Sequence, residues 1–309
     1  MYTLKKVGLV EYLYRLLFIT GVIDYRHYRD ACYKASLSQQ TPSYMKTIVC
    51  PVDFSDISEN AANYAARIAR DLDAEVVLAH AQHVPILDVH TPPSTVKDMM
   101  DQQQLENSRK LDGLASRIKT SIGGNIRTWQ TFGLVVDMIR EIEAESSVYL
   151  AIMGTKGVTN AFDKWIGTTS SDVMQRCKIP MIIIPEGSVY IGWSKVGYAT
   201  DFSKETDNAI LDFQEFVRPL KSDLSIIHVS NKKVDAEEML AVVQHFEATA
   251  NVDTITGEDI AGELNDYVWE NDLQLIAIKR HKRGFINNLF HKSISKELAI
   301  TSKMPVLIF

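Results

Sequence analysis

Cysteine is scarce in this sequence, with only three among 309 residues: Cys32, Cys50 and Cys177. They are odd in number, far apart, and include no CxxC pair. The sequence therefore excludes a disulfide framework, and it favours a reducing, cytoplasmic location with structural thiols. The histidines also lack the cysteine and carboxylate spacing of a metal site, so we predict no bound metal on the protein's own ligands.

A basic excess is also missing, since 33 Lys and Arg stand against 39 Asp and Glu, a net charge of −6. Proteins that bind nucleic acid usually carry a basic excess, so we predict no nucleic-acid partner. The one long apolar stretch, residues 7–23, contains Glu11 and Arg15 and lacks a small-residue cleavage site. We therefore predict neither a membrane span nor a signal peptide.

Common catalytic motifs are absent as well. The sequence contains no G-x-S-x-G turn for a nucleophilic serine and no G-x-x-x-x-G-K-[ST] phosphate loop. We therefore predict no catalytic residues and a protein that is not an enzyme.

An internal repeat is present instead. Lys46 to Ser55 reads KTIVCPVDFS, and Lys195 to Ser203 reads KVGYATDFS, with the two Asp-Phe-Ser triplets 148 residues apart. His80 and His228 keep the same offset. We interpret both histidines as half-buried, hydrogen-bonded residues at strand ends.

The ends of the repeat give a second offset, because Ile179-Pro180 matches Met304-Pro305 at 125 residues. A deletion of 23 residues inside the second copy reconciles the two offsets. We therefore predict two tandem domains, at residues 45–188 and 193–309.

Strands and helices are predicted to alternate within each copy. In the first copy, apolar runs predict strands at 47–52, 76–81, 125–131, 149–153 and 181–184. Helices are predicted after an N-cap at Ser55 or Asp56, and over 91–120, 134–145 and 172–177. This order predicts an α/β fold, a parallel sheet with helices on both faces. Ligands bind such sheets beyond the carboxyl ends of the strands, where the strand order reverses.

The N-terminal segment, residues 1–44, has two interpretations. Translation could begin at Met45, beside the first strand. Alternatively, the segment forms a short amphipathic helix that packs on the body or on a partner. Its apolar face would then contain Leu9, Leu13, Leu16 and Leu17.

A glycine array carries the strongest chemical signal. Gly154 follows a predicted strand, Gly157 comes three residues later, and Gly167 precedes a predicted helix that begins with Thr168. Glycine permits close backbone approach to a phosphate, and free N–H groups at a helix start bind anions. The array therefore predicts a phosphate cradle, with a tight loop that holds no ligand as the alternative.

With these motifs the chain resembles a universal stress protein of the tandem type, from about residue 45 to 309. The resemblance is carried by Cys50 to Ser55, His80, the glycine array and Ile179-Pro180. It implies two flavodoxin- or Rossmann-like domains, each a five-stranded sheet of order 3-2-1-4-5. It also implies ATP as the ligand, with or without Mg²⁺. The implied contact residues are Pro51, Val52, Asp53, Ala81, Met153, Gly154, Thr155, Gly157, Gly167, Thr168, Thr169 and Ser170.

The second copy departs from the pattern, since Lys279, Lys282 and Lys292 stand where the first copy has its glycines. Lysine side chains would obstruct the backbone approach, so we expect nucleotide binding in the first copy alone. The basic run from Lys279 to Arg283 is either a solvated loop or an anion site built from side chains.

Three functional hypotheses follow. The first is an ATP-binding, non-enzymatic stress-response or regulatory protein whose two domains pair within the chain, with a homodimer left open. The second is a structural or partner-binding module that no longer binds nucleotide. The third is a slow ATPase that uses Asp53.

Overall fold

The computed structural model describes residues 45–83, 92–155, 168–200, 206–230, 250–256, 260–279 and 304–309. They belong to one compact unit, Met45–Phe309. Residues 1–44 lie outside the described ranges, so both interpretations of that segment stay predictions. The proposed boundary between two domains also stays a prediction.

The first half follows the predicted alternation of strands and helices. Its strands are β1 (Lys46–Pro51), β2 (Ala74–Gln82), β3 (Asn125–Phe132), β4 (Val148–Thr155) and β5 (Met181–Pro185). Its helices are α1 (Asp56–Leu72), α2 (Pro93–Ser121), α3 (Val135–Glu145) and α4 (Thr168–Arg176). The boundaries differ from the predicted ones by a few residues.

The second half repeats this order over its described residues. Its strands are β6 (Lys195–Thr200), β7 (Asp223–Ser230), β8 (Ala250–Thr256), β9 (Leu275–Ile278) and β10 (Val306–Ile308). Its described helices are α5 (Thr206–Val217) and α6 (Ile260–Glu270), and a 3₁₀ turn at Arg218–Leu220 follows α5.

All ten strands form one sheet, in the order β3-β2-β1-β4-β5-β10-β9-β6-β7-β8. Read from its own first strand, each half has the expected order 3-2-1-4-5. Pairing within each half is parallel, whereas β5 and β10 pair antiparallel, with Val306 opposite Ile183. The carboxyl ends of the first-half strands therefore share an edge with the amino ends of the second-half strands.

Local chemistry explains where the first helix begins and ends. Ser55 is the N-cap of α1, because its side chain accepts a hydrogen bond from the Ser58 amide at 3.3 Å. Asp73 ends the helix in the left-handed conformation. The prediction of an N-cap at Ser55 or Asp56 is thus confirmed at Ser55.

Apolar clusters cover both faces of the sheet. Helices α1, α2 and α5 share one cluster that extends across both halves. On the opposite face, α3 and α4 cover the first half and α6 covers the second.

Cys50 and Cys177 are buried, as the structural interpretation of these two thiols expects. Burial raises the pKa of the Cys50 thiol to about 12. No helix among the described residues combines the length and apolar character that crossing a membrane requires.

Aromatic residues pack where the halves meet. The Trp193 indole donates a 2.8 Å hydrogen bond to the Tyr64 hydroxyl of α1, and Tyr190 packs edge-on against both rings. Phe216 of α5 lies 6.1 Å from Trp193 and 5.8 Å from the C-terminal Phe309, measured between ring centroids. The segment between β5 and β6 is therefore held by the core of both halves.

The strand junction gives a test of this architecture. Leu307 of β10 is fully buried beside β5. We expect Leu307→Ala to lower the free energy of unfolding by about 2–5 kcal/mol, because it leaves a cavity in the core. Urea denaturation measures this change. The control Leu105→Ala, at a half-exposed position of α2, should change the value by less than about 0.5 kcal/mol. Equal effects of the two substitutions would contradict the assignment of Leu307 to the core.

Candidate functional site

The strand order of the first half reverses between β1 and β4. From β1 the chain builds β2 and β3 on one side, and then returns to build β4 and β5 on the other. Val49 of β1 lies opposite Ala151 of β4, so the carboxyl end of β1 at Pro51 lies beside Met153, two residues before the end of β4 at Thr155. This is the place where doubly wound sheets bind ligands.

Side chains on one face of this region form a row across four strands. Trp129 of β3 lies opposite Ala79 of β2, and Ala79 lies opposite Pro51 of β1. Met153 of β4 occupies the same level, two residues beyond the Val49–Ala151 pair. Trp129, Ala79 and Met153 belong to the apolar cluster under α3 and α4. The row therefore combines two small residues at its centre with a large side chain at each end.

Ala81 lies one level nearer the carboxyl edge of this face. It pairs with Thr131 of β3 and packs on the same apolar cluster. Thr155 is buried at the end of β4, and Asp53, just beyond β1, is exposed. The structure thus brings Pro51, Ala81 and Met153 together on one face, as a platform of mostly small side chains.

Two other predicted contact residues lie on the opposite face, against α1. Val52 is buried in the α1 cluster, and its amide donates a 2.8 Å hydrogen bond to the Ala79 carbonyl. A Cβ atom on Gly154 would lie only 2.7 Å from the carbonyl oxygen of Ile57, in the first turn of α1. Close packing of α1 therefore requires a glycine here, a reason separate from the phosphate contact inferred from the sequence.

Asp53 is fixed by the serines that begin α1. Its Oδ1 accepts hydrogen bonds from the Ser55 hydroxyl at 2.6 Å and the Ser55 amide at 3.1 Å. Partial burial by itself would raise the pKa of Asp53, but hydrogen bonds from Ser55 and Ser58 outweigh it and hold the pKa below its ordinary value. Asp53 is therefore an ionised acceptor at neutral pH.

Phe54 adopts a backbone conformation that is costly for a residue with a side chain, with φ of +63°. Its ring packs against His80, with centroids 4.5 Å apart. The left-handed turn lets the chain leave β1 and begin α1 within four residues, with Asp53 at the bend.

His80 is hydrogen-bonded on both sides, as the sequence interpretation expected. Its Nδ1 donates to the Val52 carbonyl at 2.7 Å, and its Nε2 accepts from the Asn107 amide at 3.3 Å. A carbonyl only accepts and an amide nitrogen only donates, so these partners select the neutral Nδ1–H tautomer. His80 ties β1, β2 and α2 together.

The predicted phosphate-binding region is described in part. Helix α4 begins at Thr168 and packs on the platform face through Val173 and Met174. Because α4 leads into a parallel strand, its N-terminus lies at the carboxyl edge of the sheet. Thr169 is exposed there and Ser170 is buried. Gly157, Gly167 and the Thr168 side chain lie outside the described residues.

Sequence reasoning missed several residues of this region, namely Ile57, Ala79, Trp129 and Thr131. Alternation along β3 puts Trp129 and Thr131 on one face, but only the strand register shows that this face is shared with Ala81. The contact between Gly154 and Ile57 has no local signal, because it joins residues almost one hundred positions apart.

The equivalent level of the second half carries a larger side chain. Ile227 occupies the position of Ala79, opposite Ala199, and is fully buried. Its Cδ1 lies 2.9 Å from where a Cβ atom on Gly197 would be, so its side chain extends over the neighbouring strand. Lys279, opposite Gly154 in the repeat, is half-buried, whereas the rest of the basic run and Asp201 lie outside the described residues.

Among the described residues, no cluster of three or more His, Cys, Asp or Glu side chains could hold a metal ion.

Residues 45–185 match the sequence model of the universal stress protein family. A universal stress protein of Methanocaldococcus jannaschii is 26% identical over 152 residues, which cover 48% of this chain and 87% of the relative. The fold and these matches relate the first half of the chain to the α/β proteins of the universal stress class. The likeness to the universal stress protein family rests on residues 45–185.

Solved structures agree on the fold over a longer stretch. A universal stress protein from Archaeoglobus fulgidus superimposes with a TM-score of 0.66, at 20% identity, over 86% of this chain and 97% of its own. A protein of unknown function from Pseudomonas aeruginosa gives a TM-score of 0.52 at 14% identity, over 86% and 92%. The likeness thus extends well beyond the 141 residues of the family match.

Glycine substitutions test the packing at the end of β4. We expect Gly154→Ala to lower the free energy of unfolding by about 1–3 kcal/mol, because its methyl group would displace the first turn of α1. The control Gly113→Ala, in α2 with open space around its Cα, should be neutral or stabilising by up to about 1 kcal/mol. Urea denaturation compares the two variants. A neutral Gly154→Ala would show that α1 does not require this glycine.

The depressed pKa of Asp53 makes a pH prediction. In the unfolded chain the pKa of an aspartate side chain is about 3.9. Because the folded pKa lies lower, the carboxylate stabilises the fold above that value, and the contribution disappears as the pH falls through the folded pKa. We expect wild type to be more stable than Asp53→Asn at pH 7, with the difference shrinking below about pH 4. Urea denaturation at a series of pH values measures this, and a difference that stays constant would contradict the prediction.

Proposed function

We propose that the first half binds one molecule of ATP at the carboxyl ends of β1 and β4, and that the protein acts as a nucleotide-responsive regulatory or stress-response protein. One observation carries this proposal. Pro51, Ala81 and Met153 share one face with the N-terminus of α4, and Asp53 lies at its edge.

The platform suits a purine base. The small side chains Ala79, Ala81 and Pro51 lie at its centre, and Trp129 and Met153 lie on either side. An aromatic base placed there would bury apolar area without displacing a large side chain. Only Gln82 follows Ala81 in β2, so the backbone of Ala81 lies close to the carboxyl edge.

The polar groups suit a ribose and phosphates. The ionised Asp53 carboxylate can accept hydrogen bonds from ribose hydroxyls, since Ser55 occupies only Oδ1. The first amides of α4 and the exposed Thr169 hydroxyl can donate to phosphate oxygens. Gly157 and Gly167 would supply the close backbone approach. Mg²⁺, where it is bound, would be held by the phosphates with Asp53 as the available carboxylate.

Two features favour binding in the first half alone. The larger Ile227 side chain occupies the position of Ala79, and lysines replace the three glycines. The second half would then stabilise the first half and respond to whether nucleotide is bound there.

Binding without turnover fits the described groups better than catalysis does. His80 is engaged at both ring nitrogens, so it does not serve as a base. Oδ1 of Asp53 is committed to Ser55. Ligand-dependent ordering of the loop between β4 and α4 would instead bias a partner surface.

Substitutions at Ala81 test the base platform. We expect Ala81→Leu to weaken MgATP binding by more than about tenfold, because its side chain would fill the space for the base. Ala81→Gly, the control at the same position, should keep affinity within about threefold. Isothermal titration calorimetry measures both constants, and circular dichroism checks the fold.

Two results would count against the proposal. Wild-type protein that neither retains adenine nucleotide on purification nor binds millimolar MgATP would favour the partner-binding module. Equal affinity of Ala81→Leu and Ala81→Gly would place any bound nucleotide elsewhere. Gly154→Lys is a less specific test, because it would also displace α1.

A further inference from the structure

A second cavity of about 270 Å³ lies at the edge of the sheet where β9 and β10 begin. Its walls come from the segment that follows β5, from the end of α6, and from Tyr64 of α1. None of the residues in the proposed nucleotide site lines it. It belongs to the same edge as that site, because β5 and β10 run antiparallel.

The walls of this cavity are aromatic and apolar, and part of them is exposed. Val189, Ile191 and Trp269 line it with exposed fractions of 64%, 82% and 65%. Trp193 and Leu273 form its buried side. Three large apolar side chains exposed around one cavity mark a binding surface more often than isolated exposed residues do.

One wall is held in place by α1. Asn60 donates a 3.1 Å hydrogen bond to the Ser188 carbonyl, and Tyr64 accepts a 2.8 Å hydrogen bond from Trp193. In the last turn of the helix, Asp71 accepts a 2.6 Å hydrogen bond from the Tyr190 hydroxyl. The wall is therefore formed before any ligand binds, which lowers the entropic cost of binding.

The polar groups of the cavity favour a cation. Among its described lining residues, Asp272 alone carries a charge, and its side chain is 83% exposed. Among the described residues, Lys195 is its ion-pair partner, with Nζ 4.0 Å away, and this ammonium also donates to the Asn271 carbonyl. Gln274 is already engaged at both ends of its amide.

We infer that this cavity binds a small organic cation, a protonated amine carried on a single aromatic ring or a short apolar chain. The apolar body would pack against Trp193, Ile191 and Leu273. The ammonium group would lie between the Trp269 ring and the Asp272 carboxylate, in place of the loosely held Lys195. An indole face attracts cations, and a carboxylate beside it adds charge complementarity. The cavity lies just below the range of roughly 300–1,000 Å³ that is typical of drug-sized ligands, which restricts the ligand to about one ring.

Three matched one-ring probes test this inference on the full chain. 2-Phenylethylammonium, 2-phenylethanol and 3-phenylpropionate differ in charge and little in size. Ligand-observed NMR titration measures their dissociation constants at neutral pH. We expect the ammonium compound to bind most tightly and the carboxylate least, with steps of roughly threefold to tenfold.

Variants assign the binding to this cavity. Trp269→Ala and Asp272→Asn should each weaken 2-phenylethylammonium binding by roughly threefold to tenfold. Lys195→Gln should strengthen it, because the competing ammonium is removed. Trp269 and Asp272 are largely exposed and Lys195 is about half exposed, so these variants should fold, and Leu105→Ala is the control at a distant exposed position.

The inference is overturned if 2-phenylethylammonium does not bind at about 10 mM, or if the three probes bind equally. It is also overturned if Trp269→Ala or Asp272→Asn leaves binding unchanged, or if Lys195→Gln fails to strengthen it. None of these outcomes depends on ATP binding, so the two proposals can fail separately.

Discussion

The close approach of α1 to the end of β4 is the contact on which both sites depend. Gly154 lets the first turn of α1 come within van der Waals distance of the strand, where any side chain would meet the Ile57 carbonyl. That position lets Ser55 cap the helix and fix the Asp53 carboxylate at the edge of the platform. The other turns of the same helix hold the segment between the halves, which forms a wall of the second cavity.

The antiparallel pairing of β5 with β10 sets the relative direction of the two halves. It turns the two halves in opposite directions, so the edge that presents carboxyl ends in one half presents amino ends in the other. The platform and the cavity therefore lie on the same edge although they are built from opposite ends of strands. Parallel pairing at this junction would have separated them.

The halves share a fold and differ in what the fold leaves open. At equivalent places on β2 and β7 the first half has Ala79 and the second has Ile227, so the second half carries a larger side chain at this level of the sheet. The lysines of the second copy were visible in the sequence, but the role of Ile227 was not. A buried apolar residue in a strand looks the same whether it fills a core or closes a binding surface.

The sequence by itself determined the alternation of strands and helices, the repeat and an N-cap at Ser55 or Asp56, because these depend on local periodicity, spacing and capping chemistry. Only the tertiary structure decided which predicted contact residues share one face of the sheet. Strand register and side-chain alternation put Pro51 and Met153 on the platform, and Val52 and Gly154 against α1. Register and helix packing join residues far apart in the chain, so local patterns do not encode them.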